Sequence, residues 1–181
     1  MNSTLVSQHK PAEFLDEFTH YANEQLAPEE QQAFGEFVSR FFHHYPLDEL
    51  QGKRLSDVFG SVYQWWQFMA SYDRRQPKIR LFNPGLAEDG WVSSHTVLVV
   101  LQRDMPFLVD SVSSAVAACG IAVKRIIHPV LSVVRDEALT LTDISRKRVD
   151  GQARESFIYL ETERVDARER RHLEAHLAAV L

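Results

Sequence analysis

The sequence predicts an α+β fold: a helical N-terminal subdomain over residues 1–76, then a split βαβ sandwich with a mainly antiparallel sheet over residues 77–181. Three observations carry that expectation. Apolar residues recur at spacings of three and four through the first third of the chain. From Ser94 onward the pattern changes to short runs rich in branched residues. Between two such runs stands Asp104-Met105-Pro106-Phe107-Leu108-Val109, a turn followed by a helical stripe that stops at Gly120.

The elements follow in order. Pro11 and Pro28 each stand where a first helical turn begins, a position that tolerates the missing N–H. Behind them run the stripes Phe14, Leu15, Phe18, Tyr21, Ala22 and Phe34, Phe37, Val38, Phe41, Phe42, Tyr45. A third stripe, Val58, Phe59, Val62, Trp65, Trp66, Met69, Tyr72, follows Ser56. Arg74-Arg75-Gln76-Pro77 ends it, and Ile79 to Phe82 alternates as a short edge strand. Val97 to Leu101 is apolar throughout, as a central strand covered on at least one face would be.

Pro106 is expected in the first turn of the next helix, with Asp104 as its cap or first-turn carboxylate. Leu108, Val109, Val112, Ala115, Val116 and Cys119 make its buried stripe, and Gly120 suits a left-handed stop. Ile121 to Val134 reads as a long strand broken at Pro129, because proline donates nothing to a ladder. A short strand is expected at Leu139-Thr140-Leu141, and a clear one at Ser156 to Glu161. Asp166 caps a last helix whose stripe is Leu173, Leu177, Val180 and Leu181. From Thr96 this gives β-α-β-β-α, one strand short of the split βαβ plan, ending inside an apolar helix face. The sequence therefore reads as a truncated domain whose polypeptide continues.

Composition narrows the functional classes. The 181 residues are 45% apolar and 25% charged, as in ordinary globular proteins, with a net charge of −5. That balance argues against a general nucleic-acid binder, which needs cations against phosphates. A split βαβ RNA binder also needs stacking aromatics on one open face, and Phe157 and Tyr159 are assigned to opposite faces of their strand. One cysteine, Cys119, permits no internal disulfide and fits a reducing, cytoplasmic setting. No apolar run is long enough to span a membrane. The sequence holds no Gly-x-Gly, no Gly-x-x-x-x-Gly-Lys, no Gly-x-Ser-x-Gly and no His-Glu-x-x-His. Catalytic, cofactor-binding and metal-binding residues are therefore not assigned. His172 and His176, one helical turn apart, read as a polar flank, and Arg146-Lys147-Arg148 with Arg154 as a solvated loop.

The candidate site is the turn itself: Asp104, Met105, Pro106, Phe107 and Asp110, with His128 from the broken strand. A strand-to-helix turn offers N–H donors to a ligand carboxylate. His128 stands amid Ile126, Ile127, Pro129 and Val130. Its ordinary reading is a core histidine satisfied by a backbone carbonyl, and its functional reading is a contact to a ligand or across an interface.

Asp104-x-Pro106-x-Leu108-Val109 resembles the first turn of an ACT domain, whose pattern is Asp-x-Pro-Gly-Leu-Leu, a ferredoxin-like fold. More broadly the chain resembles the N-terminal segment of the large bacterial NAD-specific glutamate dehydrogenases. The matching blocks are 80–84, Asp89-Gly90-Trp91, 94–97, 104–112, 127–131 and 155–158. The resemblance implies a much longer parent enzyme that deaminates L-glutamate to 2-oxoglutarate and ammonia, with NAD as hydride acceptor and its catalytic domain elsewhere. It implies a non-catalytic region serving assembly or allosteric control, without a cofactor of its own. Its partners would be the other domains of the parent chain, further copies in a homo-oligomer, and an amino-acid effector. One departure stands out: Phe107 occupies the place of the family's Gly, where a phenyl ring is expected to fill or close the effector turn. The alternative is a free-standing amino-acid-sensing module.

Overall fold

The computed structural model describes residues 4–6, 10–147 and 152–181. Its elements are α1 (Pro11–Gln25), α2 (Pro28–Phe42), a 3-10 turn (Leu47–Leu50), α3 (Leu55–Ala70), β1 (Lys78–Phe82) and α4 (Leu86–Asp89). They continue with β2 (Thr96–Arg103), α5 (Leu108–Ala118), β3 (Val123–Ile127), β4 (Val130–Arg135), β5 (Leu141–Ser145), β6 (Arg154–Thr162) and α6 (Ala167–Val180). They group into two compact units. One comprises Met1–Ser71 with Ser132–Gln152, the other Tyr72–Leu131 with Ala153–Leu181. Among the described residues no helix is long and apolar enough to cross a membrane.

In the first unit, α1, α2 and α3 close around an aromatic core. Phe14 meets Phe42 edge-on at 5.1 Å, and Phe34 meets Trp66 edge-on at 5.8 Å. Such contacts stabilise beyond their buried area, and the indole N–H finds a partner in Glu30 at 3.0 Å. The β4–β5 hairpin packs on α2, where Arg40 donates to the Arg146 carbonyl at 2.7 Å and Arg146 pairs with Glu36 at 2.7 Å. Arg148 of the basic loop lies outside the described residues. Arg135 donates to the Met69 and Ala70 carbonyls, satisfying two that α3 leaves open at its end. The hairpin's second strand starts at Leu141, later than expected, because Leu139 takes a positive φ of 64° that no strand accommodates.

In the second unit the sheet order is β1-β2-β6-β3, every neighbouring pair antiparallel. β2 and β3 therefore run parallel with β6 between them, and α5 is their crossover: a split βαβ unit. The strand missing from the plan has its place filled. β1, which precedes the motif, pairs with the outer edge of β2 where a strand after α6 would lie. The Asn83 side chain holds this arrangement. It donates to the Val165 carbonyl (3.0 Å) and accepts from Thr96, whose hydroxyl accepts the Val165 N–H (3.0 Å). Arg80 pairs with the buried Asp89 at 2.8 Å, so that Asp89-Gly90-Trp91 folds back against β1.

Alternation puts Leu98, Val100, Ile158 and Leu160 on the helix-facing side of the sheet. There they pack with Leu108, Val112, Ala115 and Val116 of α5 and with Leu173 and Leu177 of α6. Cys119 packs half-buried against this core. Val180 departs from the expected stripe and is exposed. Phe157 and Tyr159, two residues apart, share a face rather than lying on opposite ones. Both are buried, so they give bases nothing to stack on. Gly120 stops α5 as expected, at φ 73°. Gly120 N–H reaches the Ala117 carbonyl and Ile121 N–H the Val116 carbonyl, the paired bonds of a Schellman cap. Asp166 caps α6 by accepting from the N–H groups of Arg168 (2.7 Å) and Glu169 (2.9 Å). Those bonds, that of Glu169 first, hold its carboxyl below the usual range.

Candidate functional site

β2 ends at Arg103 and α5 begins at Leu108, so four residues redirect the chain. Asp104 N–H donates to the Arg154 carbonyl at 3.0 Å, carrying the β2–β6 ladder one residue past the strand. Its carboxylate accepts from the Ser156 hydroxyl at 2.8 Å and pairs with Arg154 at 3.0 Å. Asp104 is therefore not the helix cap or a first-turn carboxylate; it is bound to the neighbouring strand. Pro106 likewise precedes the helix rather than sitting in its first turn.

The N-cap is Phe107, at φ 64° and ψ 10°, and no side chain caps the helix. Its carbonyl accepts the Ser111 N–H at 2.9 Å. An L-residue in this left-handed conformation costs about 1–2 kcal/mol relative to right-handed backbone. The chain thus keeps the backbone geometry that suits glycine while carrying a phenyl ring. The ring does not fill the turn: it is 77% exposed, and Met105 beside it is 51% exposed. Asp110 lies in the first turn of α5, also exposed, where the helix N-terminus favours negative charge.

His128 occupies the break between β3 and β4. The Phe157 N–H donates to the Pro129 carbonyl at 3.1 Å, so β6 fixes the break from the other side. The ring is half-buried, and its Nε2 is buried with no hydrogen-bond partner among the described residues. The expected backbone carbonyl is not there. Burial, the larger influence, holds the imidazole below its ordinary pKa of 6.5, against the Asp104 carboxylate, which raises it. Gln102 is the second polar group with an unmet need. It is 8% exposed, its amide nitrogen lies 3.0 Å from Met105 Sδ, and its Oε1 is buried without a partner among the described residues.

The structure joins Asp104 to Ser156 and Arg154, with Gln102 at the end of β2. Arg154, expected in a solvated loop, instead opens β6 and pairs with Asp104, and Ser156 and Gln102 were not singled out from the sequence. Gln102 had a visible signal, a polar residue closing an apolar strand. Ser156 and Arg154 had none, because their role depends on strand register. Beside this group, Arg74 pairs with the buried Glu155 at 2.8 Å. Farther along β6, Glu161 accepts from Tyr159 (2.6 Å) and Arg125 (3.0 Å). Among the described residues no group of three or more His, Cys, Asp or Glu side chains is placed to hold a metal ion.

The family model for the glutamate dehydrogenase ACT1 domain matches residues 37–177. NAD-specific glutamate dehydrogenases of Halomonas elongata and Pseudomonas aeruginosa are each 39% identical over 148 residues, 80% of this chain. The chain spans about 9% of the length of these relatives. No solved structure matches it significantly.

Proposed function

The chain belongs to the glutamate dehydrogenase ACT1-domain family, and from that premise we propose that it is a non-catalytic regulatory and assembly region of an NAD-specific glutamate dehydrogenase. The parent enzyme would convert L-glutamate, NAD and water to 2-oxoglutarate, ammonia and NADH in the cytoplasm. This region would lie near its N-terminus, with NAD bound elsewhere in the longer chain. The Asp104–Phe107 turn would be its contact element, docking against other domains or further copies. The observation that carries this reading is the turn itself. A backbone conformation suited to glycine is occupied by a phenylalanine whose ring is exposed. Strained backbone of this kind clusters at functional sites.

Two measurements test it. The 181-residue chain, given L-glutamate and NAD, is expected to form no NADH; sustained turnover overturns the assignment. In a full-length enzyme carrying this region, Phe107→Ser is expected to shift assembly toward smaller species on size-exclusion chromatography. An unchanged elution profile rejects the contact role.

A second reading, an amino-acid sensor, is favoured by two buried atoms without a partner among the described residues, Gln102 Oε1 and His128 Nε2, the first on a side chain that reaches Met105 of the turn. Buried polar atoms call for partners, and a bound ligand supplies them. A ligand that binds only the folded state raises the melting temperature. A thermal-shift screen of the amino acids at millimolar concentration decides it, and a flat result leaves the contact role alone.

A further inference from the structure

We propose that Met105 is a reversible oxidation site: a hydroperoxide places oxygen on the face of the thioether sulfur that Gln102 leaves open, so that one sulfoxide epimer forms. The site is a property of the turn itself and does not depend on the contact role proposed above.

Exposure selects the residue. Two of the three methionines, Met69 and Met105, fall among the described residues. Met69 is 1% exposed, in the core of the first unit, whereas Met105 is 51% exposed. Oxidation of a thioether follows its access to the oxidant. The backbone that carries Met105 is nonetheless held on both sides. Before it, Asp104 is tied to β6 through its N–H to the Arg154 carbonyl at 3.0 Å and through its carboxylate to Ser156 and Arg154. After it, Pro106 disfavours helical backbone at Met105.

Gln102 makes the two faces of the sulfur different. It lies opposite Ser156 in the β2–β6 ladder and is 8% exposed. Its Nε2 donates to Met105 Sδ at 3.0 Å. A thioether sulfur is a weak acceptor with two lone pairs, and this donor takes up one of them. The other lone pair is the one that attacks the peroxide. The O–O bond breaks as the S–O bond forms, the sulfur gives up two electrons, and the second peroxide oxygen leaves as water with the proton released from the first. Attack from one face fixes the configuration at sulfur. The product is polar and chiral where an apolar side chain stood, beside the exposed Phe107.

The test is treatment of the folded 181-residue chain with hydrogen peroxide, read by peptide mass mapping. The digested Met105 peptide is then offered to the two methionine sulfoxide reductases, each of which accepts one epimer. Met105 is expected to gain oxygen before Met69, and one reductase alone is expected to restore nearly all of it. The same treatment in urea, where the fold no longer holds Gln102 against the sulfur, is expected to give both epimers, so that either reductase alone restores only part. Gln102→Ala is expected to give that mixture in the folded chain. Met69 oxidised as fast as Met105 overturns the proposal, as does a native product divided between the two reductases as it is in urea. Should Gln102→Ala not fold, the comparison of native and urea-treated chain still decides it. The contact reading is judged separately, on the elution of Phe107→Ser in the full-length enzyme.

Discussion

Ile158→Asp is expected to prevent the second unit from folding. Ile158 is 0% exposed, lies opposite Val100 across β2 and faces the side chains of α5 and α6. Losing a buried isoleucine side chain forfeits roughly 1.5–3 kcal/mol. Burying a polar group with no partner costs roughly 2–7 kcal/mol more. The total is comparable to the whole stability of a domain, about 5–15 kcal/mol. Circular dichroism and urea unfolding of the chain measure it directly. A cooperative transition within about 1 kcal/mol of the parent would contradict this core. Val180→Ser is the control: that side chain is exposed, so the change is expected to stay within about 0.5 kcal/mol.

The residues that were legible in the sequence share one property: their environment is set by their near neighbours. Pro11 and Pro28 begin α1 and α2 where a proline at the first helical position predicts. Gly120 ends α5, and Pro129 breaks the strand around it, for equally local reasons. What stayed hidden depends on long-range register. β1 was expected as an edge strand, yet nothing near Lys78–Phe82 says that it takes the place of a strand after α6. Asp104 carried every mark of a helix cap, and only its contact with Ser156, far along the chain, decided otherwise. Phe107 is a different case. Backbone propensities assign a left-handed conformation to glycine or asparagine, so no local rule anticipates a phenylalanine there. The Phe-for-Gly departure was visible, but its consequence was not. The ring turns outward and does not fill the turn.

Arg74→Ala is expected to cost the second unit about 3 kcal/mol, the lower end for removing one member of a buried ion pair. Its Nε lies 2.8 Å from Glu155, whose side chain is 1% exposed while that of Arg74 is 26% exposed. The asymmetry sets which half matters more. Losing the guanidinium leaves a nearly dry carboxylate without this cation, whereas Glu155→Gln keeps an acceptor oxygen for Arg74, whose side chain is partly exposed although its Nη2 is buried without a partner among the described residues. Arg74→Ala should therefore be the more damaging single change in urea unfolding; the reverse order would show that strand packing around Glu155, rather than its charge, sets the cost. Arg74 also sits at φ 59°, a strained value for a non-glycine residue. Arg74→Gly removes the same charge but relieves that backbone, so it should be less damaging than Arg74→Ala by up to about 1 kcal/mol. Two left-handed non-glycine residues thus belong to the second unit, and they have opposite explanations. Arg74 is held in place by the ion pair it makes inside the fold. Phe107 makes no such bond, and its ring is exposed.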